Sequence, residues 1–290
     1  MEILTTIVNG LSLGGIYAMI ALGYTMVYGI AKMLNFAHGD IIMVGAYTLF
    51  SGMALTGMAI PACILAAVVC TLLGILTERV AYRPLRGASP LAVLITAIGV
   101  SYLLQSVAQL IYGTDSKPIT IGNFGTVKIF STDVSVSSLL TLGLCLVIMV
   151  ALTLFVRKTK LGRAMLAVSE DRGAAELMGI NTNAIISLTF AIGSLLAAFA
   201  GIFYLMKIPS ITPTLGSMPG IKAFTAAVIG GIGSIPGAMI GGILLGVIEE
   251  VCNSVPAVAS YTTAIEFGIL ILILLIKPNG LLGKQRKEKV

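Results

Sequence analysis

The chain has 290 residues, of which 57% are hydrophobic and only 10% charged, with a formal net charge of +6 and a mean hydropathy of +1.04. A soluble domain carries roughly a quarter charged residues, so this much apolar surface cannot be buried away from water and the bilayer must be its solvent. Composition therefore excludes a water-soluble fold and predicts an all-α integral membrane protein, organised as one transmembrane domain over residues 1–290.

Met1 and Glu2 open the chain without the basic segment of a cleaved signal peptide, so the first apolar run is expected to stay in the membrane. Runs long enough to span appear at about 4–31, 39–58, 60–81, 91–112, 138–156, 184–206, 236–254 and 259–277. The first contains Gly14 and Gly15, a place for a tilt or an interruption. An apolar stretch at 219–233 is too short to cross alone. It runs into Gly230-Gly231-Ile232-Gly233-Ser234-Ile235-Pro236-Gly237, which cannot continue as regular helix. About eight transmembrane helices plus one glycine-terminated half-helix or re-entrant element are thus expected.

Of the 18 Lys and Arg residues, all but Lys117, Lys128, Lys207 and Lys222 fall in connections on one side, which makes that side cytoplasmic and the N-terminus external. On this count Lys222 belongs to a loop. The C-terminus is cytoplasmic, and the 219–254 hairpin enters from outside and returns there, turning either at mid-membrane or at the cytoplasmic face. Irregular backbone at membrane depth survives only where protein buries it or a wet cavity receives it, so the glycine-rich turn is a pathway candidate.

Two segments lie outside the spans. The external loop 113–137 is rich in Ser, Thr and Gly, and its four charges cancel. The cytoplasmic loop 157–183 has a short helix signature: Ser169 as N-cap, Glu170 and Asp171 in the first turn, and Gly179 at the C-terminal position. Ala174, Ala175, Leu177 and Met178 give it a narrow apolar face. Such a helix either docks into a groove on a partner or lies on the membrane surface.

Chemistry is sparse. Gly280-Leu281-Leu282-Gly283-Lys284-Gln285 lacks the spacing and the hydroxyl of a phosphate-binding loop. His38 is the single histidine and has no cluster of ligands around it, so no metal and no catalytic residue is expected. His38 and Asp40 sit where the first helix turns into the second on the cytoplasmic side; Asp40 caps a helix, or the pair serves gating or subunit contact. Glu78, Glu249 and Glu250 lie near helix ends. Glu266 is an interfacial or paired acid, or a functional one, and no span carries a charge pair at its centre. Cys63 and Cys70 stand about 10 Å apart along one helix, too far to bridge, and all four cysteines read as small hydrophobes. Ala238, Gly242 and Gly246, with Gly237 and Gly241, allow close helix approach, within the chain or across a dimer seam.

The stretches Tyr17–Gly29, Leu34–Gly39, Glu78–Pro84, Leu161–Ala164 with Ser169–Asn181, and Ala223–Gly246 resemble the branched-chain amino acid ABC importer permeases of the LivH type. The likeness runs from near the N-terminus to Lys277-Pro278-Asn279-Gly280, nearly the whole chain, while the external loop carries none of it. It implies a pathway-forming subunit paired with a second related permease. Two cytoplasmic ATPase subunits would sit beneath, and a periplasmic binding protein would deliver Leu, Ile or Val. It places a coupling helix at Arg163, Glu170, Asp171, Ala175 and Gly179. Candidate pathway or gating residues are Tyr17, Tyr24, Asn35, His38, Thr225, Gly230, Gly231, Gly233 and Gly237. No cofactor and no nucleic-acid partner is expected for this chain. Sister permeases for urea or short amides share the pattern. From other classes, a self-sufficient secondary transporter or channel and a membrane scaffold stay open.

Overall fold

The structure, a computed structural model, describes residues 2–122, 125–129 and 132–283. Helix α1 (Glu2–Ala31) is followed by α2 (His38–Thr56), α3 (Ala59–Thr77) and α4 (Pro90–Tyr112). Helix α5 (Val136–Lys158) leads into two short helices, α6 (Lys160–Glu170) and α7 (Arg172–Leu177), before α8 (Thr182–Lys207). The chain closes with α9 (Ser217–Gly230), α10 (Ile235–Ser254), α11 (Pro256–Ala259) and α12 (Thr262–Ile276). Among the described residues seven helices are long and apolar enough to cross a membrane. The shorter α12 extends only about 22 Å at the helical rise. Each expected apolar run carries a helix, seven of them of spanning length, and the 219–233 stretch forms the short helix α9.

The external segment contributes the small antiparallel pairs Lys117–Pro118 with Ser210–Ile211, and Thr126–Ile129 with Thr132–Ser135. After α3 the chain continues through a π-helical turn (Glu78–Tyr82) and a 3-10 turn (Arg83–Leu85). Helix α1 runs unbroken through Gly14 and Gly15, because these glycines serve packing. A Cβ on Gly14 would lie 2.7 Å from Ile243 Cα.

Helix α1 is the centre of the molecule and packs on α5, α8, α9 and α10. The small-residue row of α10 makes its closest contact inside the chain. A Cβ on Gly242 would stand 2.3 Å from Ala18 Cα, and one on Gly246 2.1 Å from Gly14 N. Backbone-to-backbone approach of this kind lets dispersion attraction replace the missing hydrophobic drive between helices in lipid.

Two helices begin in the interior. Ala31 ends α1, but Asn35, Ala37 and His38 are all buried. His38 lies against Gly23, eight residues back along α1 and so about 12 Å from its end. Residues 32–37 therefore re-enter between the helices, and α2 starts at depth beside the Gly193 carbonyl, near the middle of α8. This corrects the expectation that the first helix passes to the second at the membrane face. Helix α9 begins at the same place: a Cβ on Gly39 would meet the Gly216 carbonyl at 2.6 Å, and one on Gly220 would meet Gly39 Cα at 2.9 Å. Its 14 residues cover about 21 Å. Its far end turns beside Gly29, and Leu281 N and Leu282 N donate to the carbonyls of Ile229 and Gly230 at 2.8 and 3.0 Å. The hairpin thus turns at the level where α1 and α12 end, on the basic face.

Candidate functional site

The basic face gathers the end of α1, helices α6 and α7, the Gly231–Ser234 turn and the segment after α12. Thr159 caps α6 by accepting from Gly162 N at 3.0 Å. Asp171 caps α7: its backbone is extended and its Oδ1 accepts from Ala174 N at 2.9 Å. Sequence reading assigned that role to Ser169, with Glu170 and Asp171 in the first turn. Instead Ser169 lies in the last turn of α6, where its hydroxyl donates to the Leu166 carbonyl, and Glu170 ends that helix. One expected helix is therefore two, broken at Asp171. Gly179 ends the second with φ +79°, a conformation that favours glycine.

Ala175 is buried, while Arg163, Glu170, Asp171 and Gly179 are exposed. The tip of the loop is apolar and bare, with Leu177 91% and Met178 82% exposed. At the base of the loop Arg172 donates to the Ala31 carbonyl at 3.2 Å, tying α7 to the end of α1. A cavity of about 710 Å³ opens between these elements, bounded by Thr25, Lys32, Arg157, Glu170 and Gly233 among others. The structure thus brings Glu170 and the glycine turn to one cavity, although they lie far apart in the sequence.

The turn itself is densely packed. A Cβ on Gly230 would sit 2.0 Å from the Gly237 carbonyl, and one on Gly231, whose φ is +102°, would sit 2.5 Å from Gly283 N. In this conformation Gly230, Gly231 and Gly237 serve close backbone contact, whereas Gly233 borders the cavity.

The remaining candidates lie deeper. Tyr24 packs edge-on against His38 and Phe224, with ring centroids 4.8 and 5.8 Å apart, and Phe36 leans on Phe224 at 5.2 Å. Thr225 is buried one residue further along α9. Asn35 accepts from the Tyr82 hydroxyl at 2.8 Å, which fixes the re-entrant segment to the π-helical turn. Asp40 does not cap α2. That cap position belongs to Ala37, and the buried Asp40 carboxylate accepts from Gln105 of α4 at 2.8 Å, with Ser217 of α9 3.3 Å from the same amide nitrogen. The two interior helix starts are therefore joined by a polar bridge. Glu78 is fully buried and paired with Arg86, while Ser187 of α8 donates to it at 2.6 Å.

Sequence reading missed one constellation. Lys222 lies in helix α9, not in a loop, and its Nζ stands 2.7 Å from Glu249 of α10 and 3.2 Å from Glu266 of α12. Tyr17 of α1 donates to the second oxygen of Glu249 at 2.8 Å. No span holds a charge pair by itself, but three helices assemble a buried ion cluster between them. The visible signal was a lysine inside an apolar stretch, which is costly in lipid unless paired. Near the opposite face Lys207 pairs with Glu250 at 2.9 Å. Among the described residues no three His, Cys, Asp or Glu side chains are grouped to hold a metal ion.

The profile of a family described as "Branched-chain amino acid transport system / permease component" matches residues 6–274. The high-affinity branched-chain amino acid transport system permease protein BraD of Pseudomonas aeruginosa is 46% identical, over 99% of this chain and 98% of that protein. The corresponding protein LivH of Escherichia coli is 43% identical, over 97% and 96%. More distantly, the ribose import permease protein RbsC of Haemophilus influenzae is 28% identical over 58% of this chain and 54% of its own length. PsaBC from Streptococcus pneumoniae, solved with a Fab, aligns over 95% of this chain and 90% of that one at 16% identity and a TM-score of 0.44. With a family match across nearly the whole length and relatives above 40% identity end to end, this chain belongs to the branched-chain amino acid transport permeases, multi-pass proteins of the bacterial inner membrane.

Proposed function

We propose that this chain is one permease subunit of an ATP-driven importer and forms, with a second related permease, the path for Leu, Ile or Val delivered by a periplasmic binding protein. The basic face is then cytoplasmic, and the two ATPase subunits sit beneath it. The observation that carries this reading is the bare apolar tip at Leu177 and Met178 on a capped two-helix loop. Exposed apolar side chains on a short, rigid helix suit insertion into a groove of a partner. Arg172 links the base of this loop to α1, and α1 packs along α10, so a push on α7 has a mechanical route to the hairpin. Branched-chain substrates are favoured over urea, amides or ribose because relatives named for branched-chain amino acids match at 42–46% identity over the full length.

Uptake of radiolabelled leucine into proteoliposomes tests the proposal. The complete complex should give ATP-dependent uptake and this chain alone should give none. Leucine flux through the isolated chain would overturn the reading in favour of a secondary transporter or channel. Changing Leu177→Asp together with Met178→Asp should release the ATPase subunits while the permease stays folded. Unaltered co-purification and transport would make α7 an ordinary surface helix.

A further inference from the structure

The cluster of Lys222, Glu249 and Glu266 holds one positive and two negative charges in the interior of the bundle. We propose that Glu249 and Glu266 hold one proton between them, so that three helices of this permease build a proton-binding site.

The geometry leads there in two steps. Lys222 Nζ lies closer to Glu249 than to Glu266, and Glu249 also receives the Tyr17 hydroxyl, so Glu249 is the better satisfied carboxylate. Glu266 is only 1% exposed, and among the described residues neither of its oxygens accepts a hydrogen bond. Its ion pair with Lys222, at 3.2 Å, is the longer of the two. Yet both carboxyl groups crowd the same Lys222 nitrogen, at 2.7 and 3.2 Å, which brings the two acids close to each other. Two carboxylates crowded on a single ammonium, one of them almost wholly buried, are stabilised by taking up one proton. One proton supplies the missing donor for Glu266 and brings the cluster to neutrality.

The other titratable groups facing the site are Tyr204 of α8 and Cys252 of α10, and neither adds positive charge. The Lys207–Glu250 pair neutralises itself. Among the described residues no third His, Cys, Asp or Glu joins the two carboxylates to hold a metal ion, whereas a proton needs only the pair. The proton then acts as a latch. With it in place, the α9–α10 hairpin is tied to α1 through Tyr17 and to α12 through Glu266. Without it, the cluster keeps one uncompensated negative charge and Lys222 alone bridges α10 and α12.

Infrared spectroscopy of the full chain in lipid nanodiscs near neutral pH tests this through the C=O stretch of a protonated carboxylic acid and its shift in heavy water. Wild type should show the band, and Glu266→Gln and Glu249→Gln should each remove one acid's worth of its intensity. Glu250→Gln should leave it unchanged. Lys222→Met removes the cation that both carboxyl groups share, so both acids should then hold protons, adding a second acid's intensity. A wild-type spectrum without the band, with or without added sodium, overturns the proposal. So does a band left at wild-type strength by both Glu266→Gln and Glu249→Gln. Because the wild-type band and the Lys222→Met gain are independent readouts, poor folding of one glutamine variant does not shield the proposal.

Discussion

Helices α8 and α4 are drawn from much the same apolar residues, yet 72% of the most apolar stretch of α8 is buried and only 17% of that of α4. The inner set, α1, α2 and α8, carries Gly, Ala and hydroxyl residues at its contacts, such as Gly23 against His38 and Ser194 against Gly74. The outer set, α3, α4 and α5, turns Leu, Ile and Val outward, with Ile60 76% and Leu110 86% exposed. In water the largest apolar side chains would go inside. In lipid they gain little by burial against protein, so many stay outside, while small residues that permit backbone contact and polar residues that need partners mark the closest interior contacts.

The sharpest way to break this contrast is Gly242→Leu. Its Cβ alone would enter the α1 backbone at Ala18, so no monodisperse protein should survive size-exclusion chromatography in detergent. Normal elution would show that the α1–α10 seam can open. Next in size is Glu78→Ala, which leaves Arg86 beside a vacated, fully buried site and should cost about 3–5 kcal/mol of thermal stability. A loss as small as that of a surface ion pair would mean that water reaches Glu78. Tyr82→Phe removes the hydrogen bond to Asn35 and should cost about 1 kcal/mol, lowering the melting midpoint by a few degrees. An unchanged midpoint would detach the re-entrant segment from the fold. Smallest of all, Leu103→Ala on the outward face of α4 should stay within about 0.5 kcal/mol. A large drop there would place that face against protein rather than lipid.

The same contrast explains which features could be read in advance. Hydropathy responds to long apolar runs, so the seven long apolar helices and the short one ending at Gly230 were legible. The family resemblance was legible too, because its motifs are local strings. What hydropathy cannot register is depth. Residues 32–37 look like an ordinary connection, and only the burial of Asn35 and His38 puts them inside. Lys222 looked like a loop residue because its partners Glu249 and Glu266 arrive from two other helices, and pairing across helices leaves no periodicity. The cap of α7 was misplaced because Ser169 and Asp171 both suit the role chemically. The choice fell to the one whose backbone is extended. Gly179 was legible because a helix end with positive φ has few other solutions.

The backbone hydrogen bonds from Leu281 and Leu282 to the last turn of α9 have a practical consequence for anyone handling this protein. Residues 277–283 look dispensable by hydropathy, yet they form one wall of the Gly231–Ser234 turn. A topology reporter or purification tag spliced directly after α12 would pull that wall away and report on a damaged hairpin. A junction placed after Gly283 keeps the wall in position and reads the native arrangement.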